Sequence, residues 1–160
     1  MAIELLRVDD RLVHGQVVEG WLPSLKADLI VVVSEAAAAD RIQSALMKMA
    51  MPPSVGLLVL GVAAAADALS SPQMAARRVL VLVPGPAEAL ALLKKGIVVD
   101  RINVGGLHFT IGKVQLGRAL FLDEKDKNAL REIVARGVRL EGQPLPSDPE
   151  EDLAPMLRSV

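Results

Sequence analysis

One imidazole, two guanidinium groups and two carboxylates fall within the eight residues Arg7 to His14, which read RVDDRLVH. Neutral imidazole is nucleophilic near pH 7, and a phosphohistidine has a labile P–N bond, so His14 in this setting points to phosphoryl relay. Gly15 follows it and permits close backbone approach. The residues beyond Gly15 have helical character, and a helix start offers free N–H groups and the positive end of a dipole to a phosphate. Arg11, three residues before His14, can offer a two-pronged guanidinium to phosphoryl oxygens, and Arg7 is a second cation near the strand end. Asp9 and Asp10 admit several local roles: holding the loop, pairing with Arg11, orienting the imidazole tautomer or capping a helix. Their spacing alone does not separate these roles. A Mg²⁺ site of the receiver or phosphatase kind would need an acceptor aspartate at another strand end. The endings Val59-Leu60-Gly61 and Val83-Pro84-Gly85 supply none.

A second polar stretch, RINVGGLHFTIGKVQLGRA, begins at Arg101. Gly106 and Gly112-Lys113 superficially suggest a phosphate loop, but they enclose five residues rather than four, and Val114 stands where a Mg²⁺-binding hydroxyl is required. A nucleotide P-loop is therefore rejected. His108 is the rival phosphoacceptor, and it has no arginine within three residues.

Composition narrows the field further. The 160 residues contain no cysteine, which removes disulfides, thiolate zinc sites, iron–sulfur clusters and cysteine nucleophiles. Only two histidines are present, so a His-rich metal site is not expected. Aromatic residues make up 2%, too few for base-stacking platforms, and the net charge of −1 provides no basic field for nucleic acid. The start MAIELLRVDD lacks the pattern of a signal peptide, and the longest apolar run, Val55 to Ala66, is about half of the ~20 residues a membrane span needs. The expectation is a cytoplasmic protein forming one domain over residues 1–160.

The elements that must position these groups alternate regularly. Runs apolar on both faces at 29–33, 55–60 and 79–83 predict covered parallel strands. They are joined by 3–8, 102–104, 119–122 and 138–143. Helical patterns lie between them: 16–25, an opening near 36–39, a helix bearing Ile42, Ala45, Leu46 and Met49 at the spacing of a buried stripe, one between Pro86 and Gly96, and one from Asp123 to Gly137. A short C-terminal helix is expected over 150–158. This order predicts an α/β fold, a doubly wound, mainly parallel open sheet of about six or seven strands with helices on both faces. Ligands of such sheets bind beyond the carboxyl ends of the strands, which is where the His14 segment sits.

Four segments, RVDDRLVHGQVVEGW, LMKMAMPP, RINVGGLHFTIGKVQL and GVRLEGQPLPSD, resemble in order the IIB component of mannose/sorbose-family sugar phosphotransferase systems (PTS). The resemblance runs from residue 7 to residue 148. It implies a phosphocarrier whose His14 is phosphorylated on Nδ1 by a IIA component and passes the group to a sugar held by the membrane components IIC and IID. Arg11 would lie in the same loop with Asp10 as its partner, and no metal or organic cofactor would take part. The protein would sit in the cytoplasm, against the inner membrane face through IIC and IID. One departure stands out: Ser34-Glu35 occupies a place where members of the family commonly carry two acids, which puts a role for the first acid in doubt. The same loop would also serve a regulatory phosphorelay, or survive in a binding module without chemistry. Trp21 is expected in the core or in a contact with a second copy.

Overall fold

The computed structural model describes residues 2–118 and 120–158. Its main sheet has seven strands in the order β3-β2-β4-β1-β5-β8-β9. They are β1 (Ile3–Asp9), β2 (Leu29–Val33), β3 (Gly56–Leu60), β4 (Val79–Val83), β5 (Arg101–Gly106), β8 (Arg139–Gly142) and β9 (Glu151–Asp152). Every pairing is parallel except β8 with β9. β2 and β4 are buried along their whole length, as their unbroken Val/Leu/Ile runs require. The expected α/β class, with a mainly parallel sheet of seven strands, is what the fold shows.

Alternate residues of each strand serve opposite faces. On one face Leu6, Val8, Val31 and Val81 pack with helices α4 (Val62–Leu69), α5 (Pro86–Lys94) and α6 (Glu124–Ala135). On the other, Leu5, Ile30, Val32, Leu80 and Leu82 pack with Val17, Trp21 and Met47. The latter residues belong to a π-helical segment, Gln16–Trp21, its continuation α1 (Leu22–Leu25), and α3 (Arg41–Ala50). Asp123 begins α6 with a capping box closed by Asp126, and Gly137 ends it at φ +84°.

Four sequence expectations need correction. The stripe Ile42, Ala45, Leu46 and Met49 is not buried: Ile42, Leu46 and Met49 are 74, 61 and 81% exposed, and Met47 is the residue of α3 that faces the body. The cause is a corner. Ser34 caps α2 (Glu35–Ala39), Asp40 stops it and caps α3 anew, and Ser44 Oγ donates to Ala37 O at 2.9 Å. That bond fixes the rotation of α3 with Ser44 and Met47 inward. The run at 119–122 is not in the main sheet; β7 (Leu120–Leu122) pairs instead with β6 (Val114–Leu116) in a separate hairpin. Ala119 lies outside the described residues. The C-terminal helix starts later than expected, because β9 precedes α7 (Ala154–Arg158) and holds the sheet edge. Finally, β3 is an edge strand and only partly covered, although its composition matches the central strands.

β1 is the fourth of seven strands. The chain leaves it toward β2 on one side, whereas from β5, its other neighbour, it continues to β8 on the opposite side. The carboxyl ends of β1 and β5 therefore flank the point where the winding reverses.

Candidate functional site

Arg7 and Asp9 are two apart on β1 and so project to the same face, the one covered by the π-helical segment. Both side chains are fully buried. Asp9 is the hub. Its Oδ2 accepts from His14 Nε2 at 2.9 Å, Arg7 Nη2 at 3.2 Å and Arg11 Nη2 at 3.3 Å, and its Oδ1 accepts from the Arg11 backbone N–H at 3.1 Å and Nε at 3.2 Å. Burial pushes the Asp9 carboxyl up, but the hydrogen bonds from His14 and Arg11 outweigh it and bring the group down to about 2. Asp9 is thus a carboxylate at neutral pH and can only accept. The proton of a neutral His14 must then sit on Nε2, which leaves the lone pair, and the nucleophilicity, on Nδ1.

The loop after β1 is built to present this ring. Leu12, in the left-handed region at φ 58°, turns the chain, and Leu12 and Val13 are buried as anchors. The His14 carbonyl accepts from the backbone N–H groups of Val17 and Val18, each at 3.0 Å, at the start of the helical segment. His14 itself stays partly accessible. Arg11 is more exposed than its partner, donates Nη2 also to Gln16 Oε1 at 3.0 Å, and has no acceptor for Nη1 among the described residues. Two cations and the His14 ring therefore converge on one buried carboxylate, and Arg11, the more exposed of the cations, keeps donors on the accessible side, where a phosphoryl dianion would arrive.

Asp10 does not partner Arg11 or His14. It turns toward the loop beyond β5, where its carboxylate accepts the His108 backbone N–H at 2.7 Å and meets His108 Nδ1 at 2.5 Å. The reason is the alternation of a strand end: Asp9 faces the covered side, and Asp10, the next residue, leaves the sheet with its backbone N–H on Gly106 O at 3.0 Å. His108 lies beside the site, since a carbon placed on Gly106 would be 3.5 Å from Arg11 Nη2 and 3.8 Å from His108 Cε1. Trp21 is buried and donates Nε1 to Pro144 O at 3.0 Å, so it offers no outward contact. Ser34 and Glu35 both act as caps. Ser34 accepts from Ala37 N, and Glu35 reaches across to the Val62 N–H at 2.8 Å, where Gly61 leaves the room it needs. Asn103, inside β5, and Gln143, just past β8, support Arg7 and carried no signal of that in the sequence. Among the described residues no group of three or more His, Asp or Glu side chains could hold a metal, and no helix is long and apolar enough to cross a membrane.

Comparison with known proteins bears directly on this geometry. The profile of the family described as the PTS system sorbose subfamily IIB component matches residues 3–160. The sorbose-specific EIIB component of Lacticaseibacillus casei is 36% identical over 160 residues, covering all of this chain and 98% of that protein. The mannose-specific EIIAB component of Escherichia coli strain K12 is 35% identical over the whole chain, which spans about half the length of that relative. The crystal structure of the IIBSor domain of the Klebsiella pneumoniae sorbose permease superposes with a TM-score of 0.94 at 31% identity, covering 100% of this chain and 98% of that one. A profile matched from end to end, carried on the same fold, identifies this chain as a member of the sorbose/mannose family of sugar-specific PTS IIB components.

Proposed function

We propose that this chain carries a phosphoryl group on His14 Nδ1, accepting it from a IIA component and passing it to a sugar bound by membrane components IIC and IID. The observation that carries this reading is the bond between His14 Nε2 and the buried Asp9 carboxylate, which leaves Nδ1 as the nucleophile. In the first step the Nδ1 lone pair attacks phosphorus as the donor's N–P bond breaks, and the proton on Nε2 stays, its growing charge balanced by Asp9. In the second step a sugar hydroxyl oxygen attacks phosphorus, the Nδ1–P bond breaks and returns its electron pair to Nδ1, and the hydroxyl proton passes to water. A loose phosphoryl transition state asks for position and charge more than covalent chemistry, and here Arg11 supplies charge while Asp9 supplies position. Asp10 serves the site by holding the His108 loop beside it. The whole of 1–160 acts as one IIB unit, on the cytoplasmic side of the membrane next to IIC and IID, with no cofactor of its own.

The test is phosphoryl transfer from a phosphorylated mannose-family IIA protein. Acid-labile, base-stable label is expected on the native chain and on His108→Ala, and none on a folded His14→Ala. Label that survives in His14→Ala would remove His14 as the acceptor.

A further inference from the structure

We infer that Arg7, acting through Asp9, decides which ring nitrogen of His14 receives the phosphoryl group. This rests on His14 being the acceptor, and it makes Arg7 a positioning residue. It does not touch the reacting atoms.

The packing around Arg7 is costlier than a stabilising role would need. The side chain is fully buried, and burial lowers its pKa while Asp9 opposes that shift; as an arginine it remains charged. Its Nη1 donates to Asn103 Oδ1 and to Gln143 O (2.8 Å), and its Nη2 donates to Asp9 Oδ2 (3.2 Å) and Pro144 O (2.9 Å). Its Nε has no partner, the only buried side-chain nitrogen or oxygen so placed among the described residues. A buried cation with one donor left unpaired is a net cost to stability that an apolar residue would avoid. Such a cost is expected where position matters more than stability.

Two further features fix the guanidinium in place. Its carbon lies 4.9 Å from the Trp21 ring centroid, over the face of the ring. A side-chain carbon on Gly105 would lie only 1.9 Å from Nη2, so the guanidinium occupies space that the glycine leaves open. β1 and β5 pair at Val8↔Val104 and next at Asp9↔Gly106, which leaves Gly105 as an extra residue, a bulge set against Arg7. Trp21 and Arg7 also share the Pro144 carbonyl. Two strands, the π-helical segment and the loop after β8 therefore converge on one cation whose outward contact is Asp9 Oδ2, the same oxygen that holds His14 Nε2. Arg11 also reaches Asp9, but from the partly exposed side, so it cannot by itself fix the carboxylate from behind. Without the cation behind it, Asp9 can turn from His14. The imidazole then samples both tautomers, and Nε2 becomes reactive as well.

The experiment uses phosphoramidate as donor: the lone pair of a ring nitrogen forms the new N–P bond, the P–NH₃⁺ bond breaks, and ammonia leaves. The linkage on His14 is read by ³¹P NMR, and the tautomer of the unphosphorylated ring by ¹⁵N NMR. The native chain should show the Nε2–H tautomer and Nδ1-linked phosphate. In Arg7→Met and Gly105→Ala the Nε2-linked share should rise on the order of tenfold, the loss expected for one charge-assisted contact. Arg7→Lys, which keeps the charge, should restore part of the native ratio. Gly105→Ala keeps every polar group and Arg7→Lys keeps the cation, so the inference stays testable if Arg7→Met does not fold. A native linkage and tautomer in a folded Gly105→Ala, or in a folded Arg7→Met, would overturn it. Absence of label on native His14 together with the Nε2–H tautomer would instead strike the acceptor reading, because the tautomer spectra need no donor.

Discussion

Two adjacent aspartates end the same strand, and they do different work. Asp9 lies in a buried floor with Arg7, Asn103 and Gln143, whereas Asp10 lies on an exposed rim with His108. Each meets an imidazole, but through opposite nitrogens: Asp9 takes Nε2 of His14, and Asp10 takes Nδ1 of His108. The floor is buried, so its charges interact strongly and its side chains have little freedom to move. The rim is exposed, so its Asp10–His108 contact is screened by solvent and worth little. One residue of strand alternation thus separates a carboxylate that holds the His14 ring from one that holds the His108 loop.

Substitutions should expose this contrast, and the largest effect belongs to the floor. Asp9→Asn keeps the size but removes the charge, and it can no longer dictate the His14 tautomer. Transfer from a IIA donor should slow on the order of 10²-fold or more, measured by initial rate of label uptake. Next comes Arg11→Ala, which removes charge from the exposed side. A loss of roughly tenfold to a hundredfold is expected, with the thermal midpoint nearly unchanged. An unaltered rate would remove its assigned role.

Acid should then separate floor from rim. The Asp9 carboxyl is depressed from an ordinary value near 3.8 to about 2. Its stabilisation is therefore complete above its unfolded value and is lost as pH falls from about 4 through 2, a contribution on the order of 2 kcal/mol. Denaturant unfolding of the native chain and of Asp9→Asn should show a stability gap at pH 6 that closes toward pH 2; a gap constant with pH would contradict the ionised floor. On the rim, His108→Ala should alter label uptake by less than about threefold, because its contact with Asp10 is exposed. The smallest effect is expected on α3, where Leu46→Ser should stay within about 0.5 kcal/mol of the native stability while Met47→Ala costs about 2 kcal/mol or more.

How much of this the sequence discloses follows from the range of each interaction. Strands such as 29–33 and 79–83 are legible because burial on both faces leaves an unbroken apolar run. The His14 loop is legible because its chemistry lies in consecutive residues. The division of labour between Asp9 and Asp10 is not, since it depends on what covers each face of β1. Arg7 reads as a second cation near the strand end, its function open, until Gly105, Trp21 and the carbonyls of Gln143 and Pro144 are brought to it from far along the chain. The face of α3 is misread for a related reason: the stripe of Ile42, Leu46 and Met49 fits the helical period better than the face of Gln43, Ser44 and Met47, yet the bond from Ser44 to Ala37 turns the latter inward. β9 carries only Glu151 and Asp152, a pair with no strand-like pattern of its own.

The most direct measurement is the linkage itself in the native protein. With ¹⁵N-labelled histidine and a IIA donor, ³¹P–¹⁵N correlation and peptide mapping should place phosphorus on Nδ1 of His14, with Nε2 still protonated toward Asp9. Phosphorus on Nε2 of His14, or on any other residue, would contradict the account that the buried carboxylate selects the reacting atom.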